Sequence, residues 1–393
     1  MRNRKWLVED IGLAVSLILI FFVVWYSITN GGRFIPLHKI KADYACFWDF
    51  IENGYPFTEV CERMGANLQE IKSVNYKKLK DVYTESDYYD FYDVLCTEIT
   101  KGNGTGHLYP IGKSDYKRFF AARLAAVYPH SKLSDAFYSH TTYGYESRQA
   151  GDIETRILEA GKIAYLRIDS FSVYDDEYSK YIATLNTFFK ETAGYKHIII
   201  DISQNGGENP EWYRQIIGLH IPKAFSVDVY ARSKKNKYSE PYLKLCEEIS
   251  LDIADIPVQL QATNKKFKVW KYAIKCPFKY VAGYKPREDK KFWLLLGKKT
   301  ASAADQFAYI CKQSGFATLV GTHTGGKGIN GALSEVLPLS KSGLLIRFDP
   351  LCGLNPDATC HDEFGTAPDI YPAKGKSALE TCLEAIKKYD AKN

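Results

Sequence analysis

Three hydrophobic patterns organise this chain of 393 residues. The first is an uncharged run of 18 residues from Ile11 to Ile28, rich in Leu, Ile, Val and Phe, at the lower end of the length that crosses a hydrocarbon core. The second is a series of short apolar, partly β-branched runs at Ile163–Ile168, His197–Ile202, Phe292–Leu296, Ala317–Val320 and Leu344–Phe348. Their length and composition predict buried strands. The third is helical spacing. Ala303, Phe307 and Cys311 recur at i, i+4 and i+8, which predicts a helix over Ser302–Ser314, and similar patterns cover Ser86–Ile99, Tyr116–Ala125 and Tyr178–Thr192. Strands alternating with helices predict an α/β core.

The N-terminal run sets the expected compartment. Arg2, Arg4 and Lys5 precede it, so the positive-inside rule assigns residues 1–10 to the cytoplasm and everything after Thr29 to the far side. No A-x-A site follows the run, and Trp25-Tyr26 suits an interfacial aromatic anchor. Residues 11–28 therefore read as an uncleaved signal anchor in a lipid bilayer, with a cleaved signal peptide as the alternative. About 365 residues remain beyond it, enough for a mainly helical N-terminal unit over 29–150 and a catalytic domain over 151–393. The net charge of +6 is dispersed without an Arg/Lys block, which argues against nucleic acid as a partner. The nine cysteines show no CxxC metal spacing and read as reduced and buried, with Cys352 and Cys360 able to pair in an oxidising compartment. Cys311 falls on the apolar face of its helix and reads as core.

Candidate chemistry centres on Ser302. It sits where a helix begins, so the N–H of Ala303 has no intrahelical partner and the positive helix end faces any negative charge that develops there. A hydroxyl at such a point can act as a nucleophile once a base removes its proton. The strand His197–Ile202 empties into Asn205-Gly206-Gly207, whose missing Cβ atoms let backbone approach a ligand, and the N–H of Gly206 or Gly207 with that of Ala303 would form an oxyanion hole. Gly325-Gly326-Lys327-Gly328 supplies one base, a lysine, and the Gly102-Asn103-Gly104-Thr105-Gly106-His107 loop supplies another, an imidazole. Asp305 stands in the first helical turn, where an acid is favoured by the dipole or could orient a base or pair with a cation. Each feature alone also has an ordinary reading: a helix cap, a tight turn, a solvated lysine, a loop histidine.

Four blocks in order resemble the S41 family of serine peptidases, which includes the C-terminal processing proteases. Gly161–Phe171 resembles the family's first core strand, His197–Gly207 its strand and glycine turn, Leu319–Gly321 with Thr324–Gly328 its lysine loop, and Gly365–Ile370 its closing segment. Lys327 follows Ser302 by 25 positions, the spacing of the family's Ser/Lys dyad, while the loop ending at His107 resembles the element of the branch that relies on histidine. The resemblance implies a ClpP/crotonase-like ββα core whose last helix is Ser377–Lys388, with Ser302 as nucleophile, Lys327 as favoured base and His107 as its rival. Gln313 stands where some members carry an aspartate, and the 53 residues between His107 and Gly161 leave no room for the PDZ domain many members have. Substrate selection would then fall to residues 36–150 and to the lysine- and tyrosine-rich insertion between Gly207 and Phe292 (Lys234, Lys235, Lys237, Tyr238, Tyr242), which also reads as a solvated basic surface. The expected protein is a membrane-anchored, extracytoplasmic serine endopeptidase that cleaves peptide or unfolded protein substrates through an acyl-enzyme on Ser302, without metal or cofactor. An inactive S41-like module that binds peptides or envelope partners is the alternative, and a crotonase-type acyl-CoA enzyme is disfavoured by the anchor.

Overall fold

The computed structural model describes residues 2–29, 32–117, 131–140, 153–172, 175–234, 236–240, 243, 250–252, 257–261, 267–331 and 334–392. The helices are α1 (Arg2–Thr29), α2 (Leu37–Asn53), α3 (Thr58–Arg63), α4 (Leu68–Lys78), α5 (Glu85–Thr100), α6 (Lys113–Asp115), α7 (Ser131–His140), α8 (Asp175–Glu191), α9 (Glu211–Gly218), α10 (Val258–Gln261), α11 (Ala303–Ser314), α12 (His361–Phe364) and α13 (Ala378–Asp390). The strands are β1 (Tyr109–Pro110), β2 (Ile153–Glu159), β3 (Ile163–Ile168), β4 (His197–Asp201), β5 (Phe225–Ser233), β6 (Ser250–Asp252), β7 (Lys268–Cys276), β8 (Lys291–Leu296), β9 (Ala317–Gly321), β10 (Glu335–Pro338), β11 (Leu345–Phe348) and β12 (Cys352–Leu354). Two compact units result: residues 1–146 with 334–348, and residues 147–333 with 349–393.

The second unit is built on a five-stranded sheet of order β2-β3-β4-β8-β9, parallel except at its β2 edge. Its middle strands are apolar at successive positions because both faces are covered. Ile198, Ile200 and Ile202 point to the face packed by Leu185 and Phe189 of α8, Trp212 of α9 and Phe307 and Cys311 of α11. Ile199, with Tyr165, Trp293 and Leu295, points to the other face, against Cys382 and Ile386 of α13. Full burial of each such isoleucine contributes roughly 1.5–3 kcal/mol. Parallel pairing also puts the C-terminal ends of β4, β8 and β9 side by side, since Ile198 is in register with Phe292 and Phe292 with Ala317. The three loops that leave those ends, 202–210, 297–302 and 322–328, are gathered at one edge, where open α/β sheets place their sites.

The insertion between β4 and β8 does not form only a surface. Strands β5, β7 and β6, with β12, make a four-stranded antiparallel sheet whose Val229, Ala231, Tyr272 and Ile274 join the main core. Alternate residues of β5 are buried, the pattern of a sheet with one packed face. Lys235 and Tyr242, assigned to that surface by sequence, lie outside the described residues.

The first unit holds α1–α7 and a three-stranded antiparallel sheet of order β1-β11-β10. Phe47, Trp48 and Phe50 of α2 and Tyr88 and Tyr92 of α5 are buried in it, and α5 opens with a capping box between Thr84 and Asp87. Leu344–Phe348, expected as a strand of the α/β core, pairs instead with β1 and β10 in this unit. Its apolar run satisfied a strand pattern, but pattern alone names no partner strand. Most of the helix expected over Tyr116–Ala125 lies outside the described residues. Among the described residues no helix is long and apolar enough to cross a membrane; α1 is continuous, and its described side chains, Ile11 to Trp25, are exposed.

Candidate active site

Two of the three gathered loops are tied together before any catalytic side chain is considered. Thr300 is buried; its Oγ1 donates to the Ile202 carbonyl at 2.8 Å and accepts the Gly297 N–H at 3.1 Å. The Ala301 N–H donates to the Asn205 carbonyl at 3.1 Å. Asn205 is itself buried, with Nδ2 on the Ile168 carbonyl at 3.0 Å and Oδ1 accepting the Gly207 N–H at 2.8 Å.

Gly207 has φ 93°, and a Cβ there would lie 2.5 Å from the Ala301 carbonyl oxygen, 2.6 Å from the Ala303 nitrogen and 2.8 Å from Ser302 Cβ. Only glycine allows this turn to press against Ser302. A hydrogen bond separates the two glycine candidates. The Gly207 N–H is already taken by Asn205, which leaves the Gly206 and Ala303 N–H groups, neither hydrogen-bonded among the described residues, as the pair able to face an oxyanion.

Ser302 is the N-cap residue of α11, yet its side chain makes no capping hydrogen bond. Its backbone sits at φ 53° and ψ −126°, a conformation that costs a non-glycine residue on the order of 1–3 kcal/mol. The strain is held by its neighbours: the Ser302 N–H donates to the Gly326 carbonyl at 3.0 Å, and its carbonyl accepts the Gln306 N–H at 2.8 Å. An ordinary cap would bond N2 or N3 in extended backbone. Here Oγ has no hydrogen-bond partner among the described residues and projects from the positive end of a 12-residue helix.

The lysine loop is clamped on both sides of Lys327. Gly326 accepts from Ser302 as above, and the Gly328 N–H donates to Asp305 Oδ2 at 2.8 Å, while Gln306 Nε2 donates to the Gly328 carbonyl at 2.7 Å. Lys327 between them has φ 72°, is half-buried, and its ammonium has no ion-pair or hydrogen-bond partner among the described residues. Gly328 cannot carry a side chain, since a Cβ would lie 2.3 Å from the Gln306 nitrogen.

Asp305 is fully buried and accepts four hydrogen bonds. Oδ1 takes the hydroxyls of Thr324 at 2.6 Å and Thr366 at 2.8 Å; Oδ2 takes the Gly328 N–H and His361 Nε2 at 2.7 Å. Burial alone would push its carboxyl up, but the adjacent His361 and the two hydroxyls outweigh burial and hold it below its usual value. His361, equally buried, shows the counterpart: burial pulls its imidazolium down, and Asp305 outweighs that and raises it. Its other nitrogen, Nδ1, meets Asn355 Oδ1 at 2.8 Å, and the Tyr309 ring stands edge-on at 5.6 Å. The sequence singled out Asp305 but missed His361, Asn355, Thr324 and Thr366. The available signal was a lone histidine between Cys360 and Asp362, just before the closing segment Gly365–Ile370 that contains Thr366.

His107 belongs to the first unit. It closes a 3-10 turn, Thr105–His107, with φ 47°, and is half-buried. The turn is anchored by Tyr55, whose hydroxyl donates to the Thr105 carbonyl at 2.5 Å, and by Gly106, where a Cβ would strike the Phe57 ring at 2.5 Å. Cys352 and Cys360 are free buried thiols with sulfurs 3.1 Å apart. Among the described residues no group of three or more His, Cys, Asp or Glu side chains is placed to hold a metal ion.

Comparison with known proteins adds a family and a fold. The model of peptidase family S41 matches residues 162–371, from β3 through the lysine loop to the segment after α12. No curated protein matches the chain. Among solved structures, a candidate peptidase from Parabacteroides merdae is 17% identical, with 89% of this chain and 96% of that chain covered and a TM-score of 0.51. A lipoprotein from Streptococcus agalactiae is 15% identical over 90% of this chain and 98% of its own, with a TM-score of 0.49. The photosystem II D1 C-terminal processing protease is 16% identical, covering 61% and 53% respectively at a TM-score of 0.37. At these identities only the first likeness speaks, and it speaks for fold across nearly the whole chain.

Proposed function

Since the chain belongs to peptidase family S41 and is a serine-type peptidase, we propose that it is an endopeptidase in which Ser302 attacks the scissile carbonyl with Lys327 as general base. Neutral Lys327 Nζ would take the Ser302 proton as Oγ bonds the carbonyl carbon. The resulting oxyanion would be held by the Gly206 and Ala303 N–H groups at the start of α11. The Lys327 ammonium then gives that proton to the departing amine as the C–N bond breaks; the Lys327 amine next takes a proton from the water that attacks the acyl-enzyme and returns it to Ser302 Oγ as the ester C–O bond breaks. The observation that carries this reading is the clamp. The residue before Lys327 is hydrogen-bonded to the nucleophile's own N–H, so nucleophile and base ride on one rigid assembly.

The full chain should degrade casein, and Ser302→Ala should abolish that cleavage. Lys327→Ala should lower turnover about 10²-fold or more. A comparable loss in His107→Ala, with Lys327→Ala active, would transfer the base to the histidine. No cleavage by the folded wild type would sink the endopeptidase reading.

For the cellular setting we infer an uncleaved membrane anchor over 11–28 with the catalytic body outside the cytoplasm. Its support is the uncharged run behind Arg2, Arg4 and Lys5, together with the continuity of α1.

A further inference from the structure

The Asp305–His361 pair is buried beyond reach of substrate, yet it touches the loop that carries Lys327. The protonation of His361 follows from its partners. Asn355 Nδ2 donates to Thr359 Oγ1 at 3.0 Å, and that hydroxyl gives its own hydrogen to Asp357 Oδ1 at 2.6 Å. The amide orientation of Asn355 is thereby fixed with Oδ1 toward His361, and a carbonyl oxygen can only accept. Nδ1 must therefore carry a hydrogen. Nε2 faces Asp305 Oδ2, and since two hydroxyls, the Gly328 N–H and the ring hold that carboxyl below its usual value as an acceptor-only carboxylate, Nε2 donates as well. Both ring nitrogens are protonated, and the side chain is an imidazolium.

We propose that His361, kept as an imidazolium by Asn355 and Asp305, is a positioning residue of the peptidase site. Its charge keeps Asp305 ionised in a dry environment, and ionised Asp305 accepts from Gly328 while Gly326 accepts from Ser302. The run Gly326-Lys327-Gly328 is thus fixed at both ends by a chain that starts at His361 and ends at the nucleophile. A neutral His361 would lose one ring hydrogen, leave either Asp305 Oδ2 or Asn355 Oδ1 without its imidazole donor, and slacken the Gly328 contact. Among the described residues, the charged and titratable groups facing the ring are Asp305 from α11, Asp362 beside it on α12, and the hydroxyl-bearing ring of Tyr309, none of them a cation.

This inference rests on the peptidase reading for its kinetic half and on the proton count for the rest, and the test separates them. Full-length protein labelled with ¹⁵N-histidine should show one imidazole, identified by its shift in Asn355→Ala, with both nitrogens protonated at pH 7. That signal reads the pair whether or not the chain cleaves anything. In casein cleavage, Asn355→Ala should move the alkaline limb of the kcat profile to lower pH by about one unit while leaving KM within about twofold. Asp305→Asn and His361→Gln, each checked for a wild-type far-UV spectrum, should lower kcat about 10-fold or more and should not add when combined. A neutral imidazole at pH 7, an Asn355→Ala profile superimposable on the wild type, or additive kcat losses would each overturn the proposal.

Discussion

At the scale of single residues the site is made by atoms that are absent as much as by those present. Gly207 has no Cβ, and Ser302 occupies its strained backbone because the turn can lie flat against it. Gly207→Ala should therefore destabilise by about 1–3 kcal/mol, from overpacking and from φ 93°, and should lower kcat more than that loss explains, because the Ala303 N–H is displaced. Denaturant titration beside casein turnover measures both. The buried pair makes a second residue-scale prediction. His361 is raised above its ordinary value of 6.5, so its stabilisation is complete below that pH and fades as pH climbs through the raised value. Asp305 is lowered from 3.8, so its stabilisation is present above that pH and fades as pH falls through the depressed value. Thermal melts should show a plateau between these limits with an alkaline decline that His361→Gln removes; a decline unchanged in that variant would assign it to other groups.

At the scale of elements, β3, β4, β8, β9 and α11 stood in the sequence nearly residue for residue, because burial on two faces leaves unbroken apolar runs and a helix leaves its period. Ser302, Gly206 and Lys327 were legible as candidates for a related reason: the chemistry proposed for them needs a helix start and a glycine turn, and these lie at strand ends. His361 and the threonines around Asp305 were not, since hydrogen bonds join them to Asp305 from 19 to 61 positions away and leave no period, and Asn355 enters only through His361. Nor was the partner of β11. In the turn between β10 and β11, the Lys341 and Ser342 N–H groups donate to buried Asp43 of α2 at 2.7 and 2.8 Å, and Tyr88 of α5 donates to the same carboxylate at 2.9 Å. Asp43→Ala strands these three donors and a longer fourth, Ser340 Oγ at 3.5 Å, and should cost about 2–4 kcal/mol, read by melting and by faster amide exchange at Lys341 and Ser342.

At the scale of the whole molecule, the proposed anchor predicts that the full chain stays with membranes after alkaline carbonate washing and that externally added protease digests everything beyond residue 29. Recovery of a soluble form lacking the first 28 or so residues would instead identify a cleaved signal. The two units differ in how they use the chain. The second contains one uninterrupted stretch, 147–333, that holds Ser302 and Lys327, but it still needs His361 and α13 from beyond residue 349. The first owns everything up to Glu146 and then waits for Ser334–Phe348, which brings two of the three strands in its sheet. During synthesis from the N-terminus, the helices of the first unit emerge early and must keep Phe50 and Asp43 without their partners Phe348, Lys341 and Ser342 while nearly two hundred further residues are made. The N-terminal unit therefore cannot finish before residue 348 exists, and a nascent chain stalled in between would expose its apolar helices to whatever chaperone meets it.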